Sequence, residues 1–150
     1  MLNGYEINDA TVAIIPMGKD RSKVIEITKE ILVSKPPIQI IKESCSYFGS
    51  TYRGRNLGTK ELIGVTHKVP IIVEESKEII FFPTMSPQSR DCSWISLKNI
   101  KNYMRNHSSS MIEFIGGYHL TLNISYGSLD SQILRAARLE SVLRSRKVNS

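Results

Sequence analysis

The apolar residues of this chain come in short β-branched runs that stop at turn signals, and no other feature restricts the fold as much. ATVAIIP ends at Pro16, VPIIVEE contains Pro70 and runs into Glu75-Ser76-Lys77, and EIIFFP ends at Pro83. Val, Ile and Phe suit a pleated, half-buried surface, and proline is confined to strand edges and ends. Within SKVIEITKEILVS (Ser22 to Ser34), Ile25 and Ile27 alternate, which favours a hairpin turning near Lys29-Glu30 over a helix. Asn8-Asp9 marks another turn. The clearest hairpin is MIEFIGGYHLTLNIS, where apolar residues alternate on both sides of Gly116-Gly117.

Other segments read as helices. Two prolines suit a first turn and Gly49 a stop, so a short helix is expected from about Pro37 to Ser46. CSWISLKNIKNYMRNHSSS reads as a strand running into a helix, capped by Ser96, with Ile100, Tyr103 and Met104 on one face and the Ser108-Ser109-Ser110 run as a loop. GSLDSQILRAARLESVLRSRK predicts a closing helix capped at Ser128, with Leu129, Ile133, Ala136, Ala137 and Leu143 on its buried face. Arg144, Arg146 and Lys147 would complement its C-terminal dipole. KELIGVTHKVPIIVEESKEIIFFPTMS reads as three successive strands. The expectation is an α+β fold: a single domain over residues 1–150 of mostly antiparallel short strands, a few helices and a C-terminal helix, with flexible ends at 1–4 and 146–150.

No apolar stretch approaches the ~20 residues of a membrane span, and the N-terminus lacks the basic segment and apolar run of a signal peptide. A soluble, cytoplasmic chain with no membrane partner is therefore expected. Cys45 and Cys92 form no CxxC pair, and His67, His107 and His119 are scattered singly, so both cysteines read as buried free thiols and no metal or other cofactor is expected. The P-loop spacing, GxGxxG, GxSxG and HExxH are all missing, and most carboxylates sit beside lysines as solvated surface does. The chain does not read as an enzyme.

A net charge of +6 and a pI near 9.4 favour a polyanion partner. The charge is segregated. Ser44 to Lys60 carries Arg53, Arg55 and Lys60 without an acid, and Cys92 to Ile112 carries Lys98, Lys101 and Arg105 without one. The C-terminal segment adds Arg135, Arg138, Arg144, Arg146 and Lys147 against Asp130 and Glu140. A positive face of this kind neutralises phosphates and releases counterions from DNA. In SYFGSTYRGRNLGTK, the glycines at 49, 54 and 58 suggest an exposed loop, Gly49 to Thr59, on which Tyr52, Arg53 and Arg55 would enter a groove or grip its rims. Lys60, His67, Lys68 and Arg90 complete the candidate DNA-binding set. The plainer reading is a solvated turn above Tyr47 and Phe48 as core anchors, with His67 a satisfied strand-end histidine, Trp94 core, Arg135 a brace for the fold through a buried pair, and the DNA surface along Lys98, Lys101 and Arg105 instead.

The same residues carry a resemblance. Cys-x-x-Phe-Gly-Ser-x-Tyr-x-Gly-Arg-x-x-Gly-Thr from Cys45 to Thr59 is followed by His-Lys-x-Pro-Ile at His67, Phe-Pro-Thr at Phe82 and Cys-x-Trp-Ile-Ser at Cys92. With YEIN, ATVAIIP and ISYGSLDSQILRAARL, this order, roughly Tyr5 to Leu139, resembles the ComK family of competence transcription factors. The resemblance implies a bacterial cytoplasmic regulator that binds A·T-rich double-stranded promoter boxes through the minor groove. It also implies a homo-oligomer that works with the transcription machinery and activates genes of DNA uptake and recombination. More faintly, the closing hairpin and serine motif resemble LytTR-type DNA-binding domains, an analogy that does not transmit function. Family members continue into a tail read by an adaptor that delivers the factor to a protease. This sequence ends at Ser150 with RSRKVNS. Adaptor-controlled turnover is accordingly left open, and the rival expectation is a short regulatory paralogue that acts through protein–protein contacts or mixed oligomers.

Overall fold

The structure, a computed structural model, describes residues 1–148. Its strands are β1 (Thr11–Pro16), β2 (Ser22–Glu26), β3 (Glu30–Val33), β4 (Ile71–Glu74), β5 (Ile79–Pro83), β6 (Trp94–Ser96), β7 (Ile100–Asn106), β8 (Ser109–Phe114) and β9 (His119–Leu122). The helices are α1 (Pro37–Tyr47), α2 (Tyr52–Ile63) and α3 (Tyr126–Val148), with a 3-10 turn at Leu97–Asn99. Six strands form one antiparallel sheet in the order β3-β2-β1-β6-β5-β4, and β7-β8-β9 form a second. This is the α+β domain of antiparallel strands with a closing helix that the sequence leads one to expect.

Period-two alternation distributes the large sheet's side chains between two cores. Along β5, Ile79 and Phe81 face one way with Ile14, Val24 and Trp94, onto Ile40, Ile41 and Cys45 of α1. Ile80 and Phe82 face the other way with Val12 and Ile95, onto Ile112 and Phe114 of the small sheet and Leu129, Ala136 and Leu139 of α3. The large sheet is therefore covered on both faces, which is why its strands read as nearly continuous apolar runs. Trp94 is wholly buried, as expected of a core residue. Both cysteines are buried free thiols. Burial pushes Cys92 above the ordinary thiol range and Cys45 up to about 11, the latter against the opposing charge of Arg55.

The Ser22–Ser34 hairpin, the Pro37 helix and the Gly116-Gly117 hairpin form as read. Two segments differ. The stretch expected to be a loop, Gly49 to Thr59, is mostly helix α2, which runs on through Ile63, so the first of the three strands expected from Lys60 onward does not exist. Thr51 caps the helix by accepting from the Gly54 backbone N–H at 3.0 Å, and Gly64, at φ 74°, ends it. Packing decides the outcome: Tyr52 lies against one core and Ile63 within the other, and this outweighs two interior glycines at ~1 kcal/mol each. Conversely, Ile100 to Asn106, expected to be a helix capped by Ser96, is strand β7. The spacing of Ile100, Tyr103 and Met104 mimics a helical face, but β7 pairs with β8 through a turn at His107-Ser108, and Ser109 and Ser110 belong to β8 rather than to a loop. The closing helix begins at Tyr126, and its cap is Ser125, whose Oγ accepts from the Ser128 N–H at 3.1 Å. At the ends expected to be flexible, Leu2 donates its N–H to Leu32 and accepts from Ser34, and α3 continues through Val148; residues 149 and 150 lie outside the described residues.

Candidate nucleic-acid interface

Helix α2 packs on β4 at the edge of the large sheet, and its outer face forms one wall of a groove of about 420 Å³. Tyr52, Arg53, Asn56, Leu57 and Lys60 line that wall. Arg53, Leu57 and Lys60 lie four and three residues apart, on one helical face. Thr66 to Val69 form the second wall and Ser86, Pro87 and Gln88 the third. The groove thus gathers five of the seven residues proposed from the sequence: Tyr52, Arg53, Lys60, His67 and Lys68. Arg90 lies on the far side of the Ser86–Gln88 turn, in a neighbouring groove. Arg55 lines neither groove; it is half-buried, with its Nε shielded from solvent.

The walls are fixed from behind. Gln132, on the buried face of α3, donates through Nε2 to the carbonyls of Lys68 and Pro83, each at 2.8 Å. Arg135 donates to the His67 carbonyl and to Gln132 Oε1, each at 3.2 Å. One buried amide therefore ties the turn that carries His67 and Lys68 to the end of β5, and Arg135 braces the same turn through these hydrogen bonds rather than through the buried pair expected of it. Tyr52 is held edge-on to Trp94 with ring centroids 6.4 Å apart, and Lys42 sits 5.7 Å above the Tyr52 ring. Burial raises the Tyr52 pKa, so its hydroxyl remains a neutral donor.

No carboxylate lines this groove, and among the described residues Arg53, Lys60 and Lys68 have no ion-pair partner. The other basic stretches are different in space from what they are in sequence. Lys98 contacts Asp9 at 2.7 Å, Lys101 lies 3.8 Å from Glu113, and Arg105 stacks on Tyr126 at 4.9 Å. Arg144 grips Glu78 with two hydrogen bonds, at 2.8 and 3.1 Å. Arg53, Lys60 and Lys68 are left uncompensated at the α2 groove, whereas Lys98, Lys101, Arg105 and Arg144 are engaged within the fold. Sequence reasoning missed Asn56, Leu57, Ser86, Pro87, Gln88 and the supporting Gln132. Reading Tyr52–Lys60 as a helix would have placed the first two beside Arg53.

The matches to known proteins span nearly the whole chain. The family model described as ComK protein matches residues 2–148. The chain belongs to the ComK family. It is 38% identical over 149 residues to the competence transcription factor of Bacillus subtilis (strain 168), covering 97% of this chain and 78% of that protein. No solved structure matches. ComK proteins are transcription factors rather than enzymes, in accord with the missing catalytic motifs. Among the described residues, no three His, Cys, Asp or Glu side chains cluster as a metal site, and no helix is long and apolar enough to cross a membrane.

Proposed function

We propose that the chain is a DNA-binding transcriptional regulator of competence genes that meets A·T-rich promoter boxes through the minor groove, with the α2 groove as its principal contact surface. One observation carries the reading: Arg53, Lys60 and Lys68 converge on a groove with no carboxylate in its lining. Such cations displace condensed counterions from a duplex, and arginine suits the strong negative potential of a narrow A·T minor groove. Tyr52 and Asn56 add neutral hydrogen-bonding groups on the same wall. The named relative supports the regulatory assignment, and the family resemblance supports activation of DNA-uptake and recombination genes by an oligomer acting with the transcription machinery.

A gel shift of the purified chain on A·T-rich and G·C-rich duplexes of equal length, with a minor-groove-binding drug as competitor, tests the reading. Preferential retardation of A·T-rich DNA, reversed by the drug, is expected. Equal affinity for both duplexes, or indifference to the drug, contradicts it.

A further inference from the structure

The Ser86–Arg90 loop separates two grooves rather than bordering one. Pro87 and Gln88 line both the α2 groove and a second cavity of about 320 Å³. The second groove has Pro36 and Pro37 in one wall, Trp94 in its lining, and Lys19 and Arg90 as its cations. Neither of these cations has an ion-pair partner among the described residues, and Asp20 is the one carboxylate in the lining. A narrow ridge thus runs between two cationic channels.

We infer that this loop is a reading ridge whose Pro87-Gln88 tip enters the DNA minor groove while one sugar–phosphate backbone lies in the channel on each side. The inference rests on the DNA-binding reading above and goes beyond it by naming the element that reads the bases. The minor groove is about 6 Å wide, too narrow for a helix, and admits a single turn tip between its two phosphate rims. Arg53, Lys60 and Lys68 meet one rim, and Lys19 and Arg90 the other.

The loop is built to hold its shape. At its base the Thr84 N–H donates to the Ser93 carbonyl at 2.9 Å, and the Ser93 N–H donates to Thr84 Oγ1 at 3.0 Å. Two successive turns follow, closed by the Ser89 N–H on the Ser86 carbonyl at 2.9 Å and the Cys92 N–H on the Ser89 carbonyl at 3.2 Å. Pro87 occupies the first central position of the first turn, where its fixed φ belongs. At the tip, Gln88 Oε1 accepts from Ser86 Oγ at 3.0 Å, and no hydrogen bond uses Gln88 Nε2 among the described residues. Gln88 is exposed, so this amide donor is accessible to a ligand. A·T and T·A pairs offer only acceptors in the minor groove, whereas G·C adds the guanine amino donor. An exposed donor suits the acceptors of A·T in either orientation and is disfavoured at G·C, where the guanine amino group stands in the groove as a second donor, and Pro87 beside it is an apolar group of the kind that wedges into flexible base steps.

Fluorescence anisotropy of the full chain on A·T-rich and G·C-rich duplexes, over a salt series, tests the ridge. Gln88→Ala is expected to reduce the A·T preference roughly tenfold without altering the salt slope, and Gln88→Asn to retain part of it. The double variant Lys19→Ala/Arg90→Ala is expected to weaken all sequences alike and to flatten the slope by about two contacts. Thermal melts of these exposed-site variants identify any loss of binding that comes from unfolding. If Gln88→Ala keeps the full A·T preference, or the double variant keeps the full slope, while Arg53→Ala flattens it, the ridge is overturned and DNA binding at the α2 groove stands. If the unsubstituted chain itself binds neither duplex, both readings fall together.

Discussion

Arg53 and Arg55 would be equivalent on a flexible loop, but on a helix residues two apart face different surroundings. Arg53 is exposed in the α2 groove, while Arg55 is half-buried near the Cys45 thiol. Arg53→Ala is expected to weaken binding to every duplex and to reduce the salt slope by about one contact, with an unchanged melting temperature. Arg55→Ala is expected to leave DNA affinity intact and to lower stability by about 1 kcal/mol through lost packing, read from urea unfolding. The residue types at this site were legible, because tyrosine, arginine and glycine without acids stand out in any reading. Their separation into one groove-lining residue and one half-buried residue was not, since it depends on the phase of a helix that the glycines disguise.

At the scale of elements, α2 is where local propensity and tertiary structure disagree most. Gly58 meets nothing within 4 Å of a hypothetical Cβ, whereas a Cβ on Gly54 would lie 2.9 Å from Thr51 Oγ1, the capping oxygen. Gly58→Ala is therefore expected to stabilise the protein by about 0.5–1 kcal/mol, and Gly54→Ala to forfeit that gain by disturbing the cap, both measured by thermal or urea unfolding. A loop with glycine at position 58 in an irregular conformation would give the opposite sign for Gly58→Ala. Strand β7 shows the converse case. Its apolar spacing fits a helix, but its pairing partner β8 follows immediately, and a two-residue turn settles the register. The Tyr103 hydroxyl of β7 donates to Asp130 of α3 at 2.7 Å, and the carboxylate holds its pKa up, to about 12, against an ordinary value of 10.0. A raised folded-state pKa means that the folded protein keeps the proton more tightly. The contribution is complete below pH 10 and is lost as pH rises toward 12. Tyr103→Phe is expected to be less stable at neutral pH and to lose stability less steeply over that alkaline interval; the Tyr5 phenol, raised by burial and by Glu26, leaves part of the dependence in place.

For the molecule as a whole, the net charge of +6 matters less than where it is left unpaired. Three basic stretches are equally visible in the sequence. Folding brings Asp9 to Lys98 across 89 residues and Glu78 to Arg144 across 66, and no reading of local composition detects those pairings. The architecture, by contrast, was largely legible: the β-branched runs of β1, β4 and β5 encode a sheet buried on both faces, and the Gly116-Gly117 alternation encodes its smaller companion. The site was legible as a set of residue types but not as a place, because α2, residues 66–69 and residues 86–88 are separate in sequence and line one groove in the fold, with Gln132 of α3 tying Lys68 to the end of β5. The central claim, that this uncompensated surface reads the minor groove of A·T-rich DNA, is tested most directly by anisotropy on three duplexes of equal length. These contain A·T, G·C and inosine·C pairs, the last carrying the minor-groove pattern of A·T without the guanine amino group. The account requires inosine·C and A·T duplexes to bind equally and more tightly than G·C, with affinity falling steeply as salt rises. Binding of inosine·C at the G·C level, or affinity indifferent to salt, contradicts it.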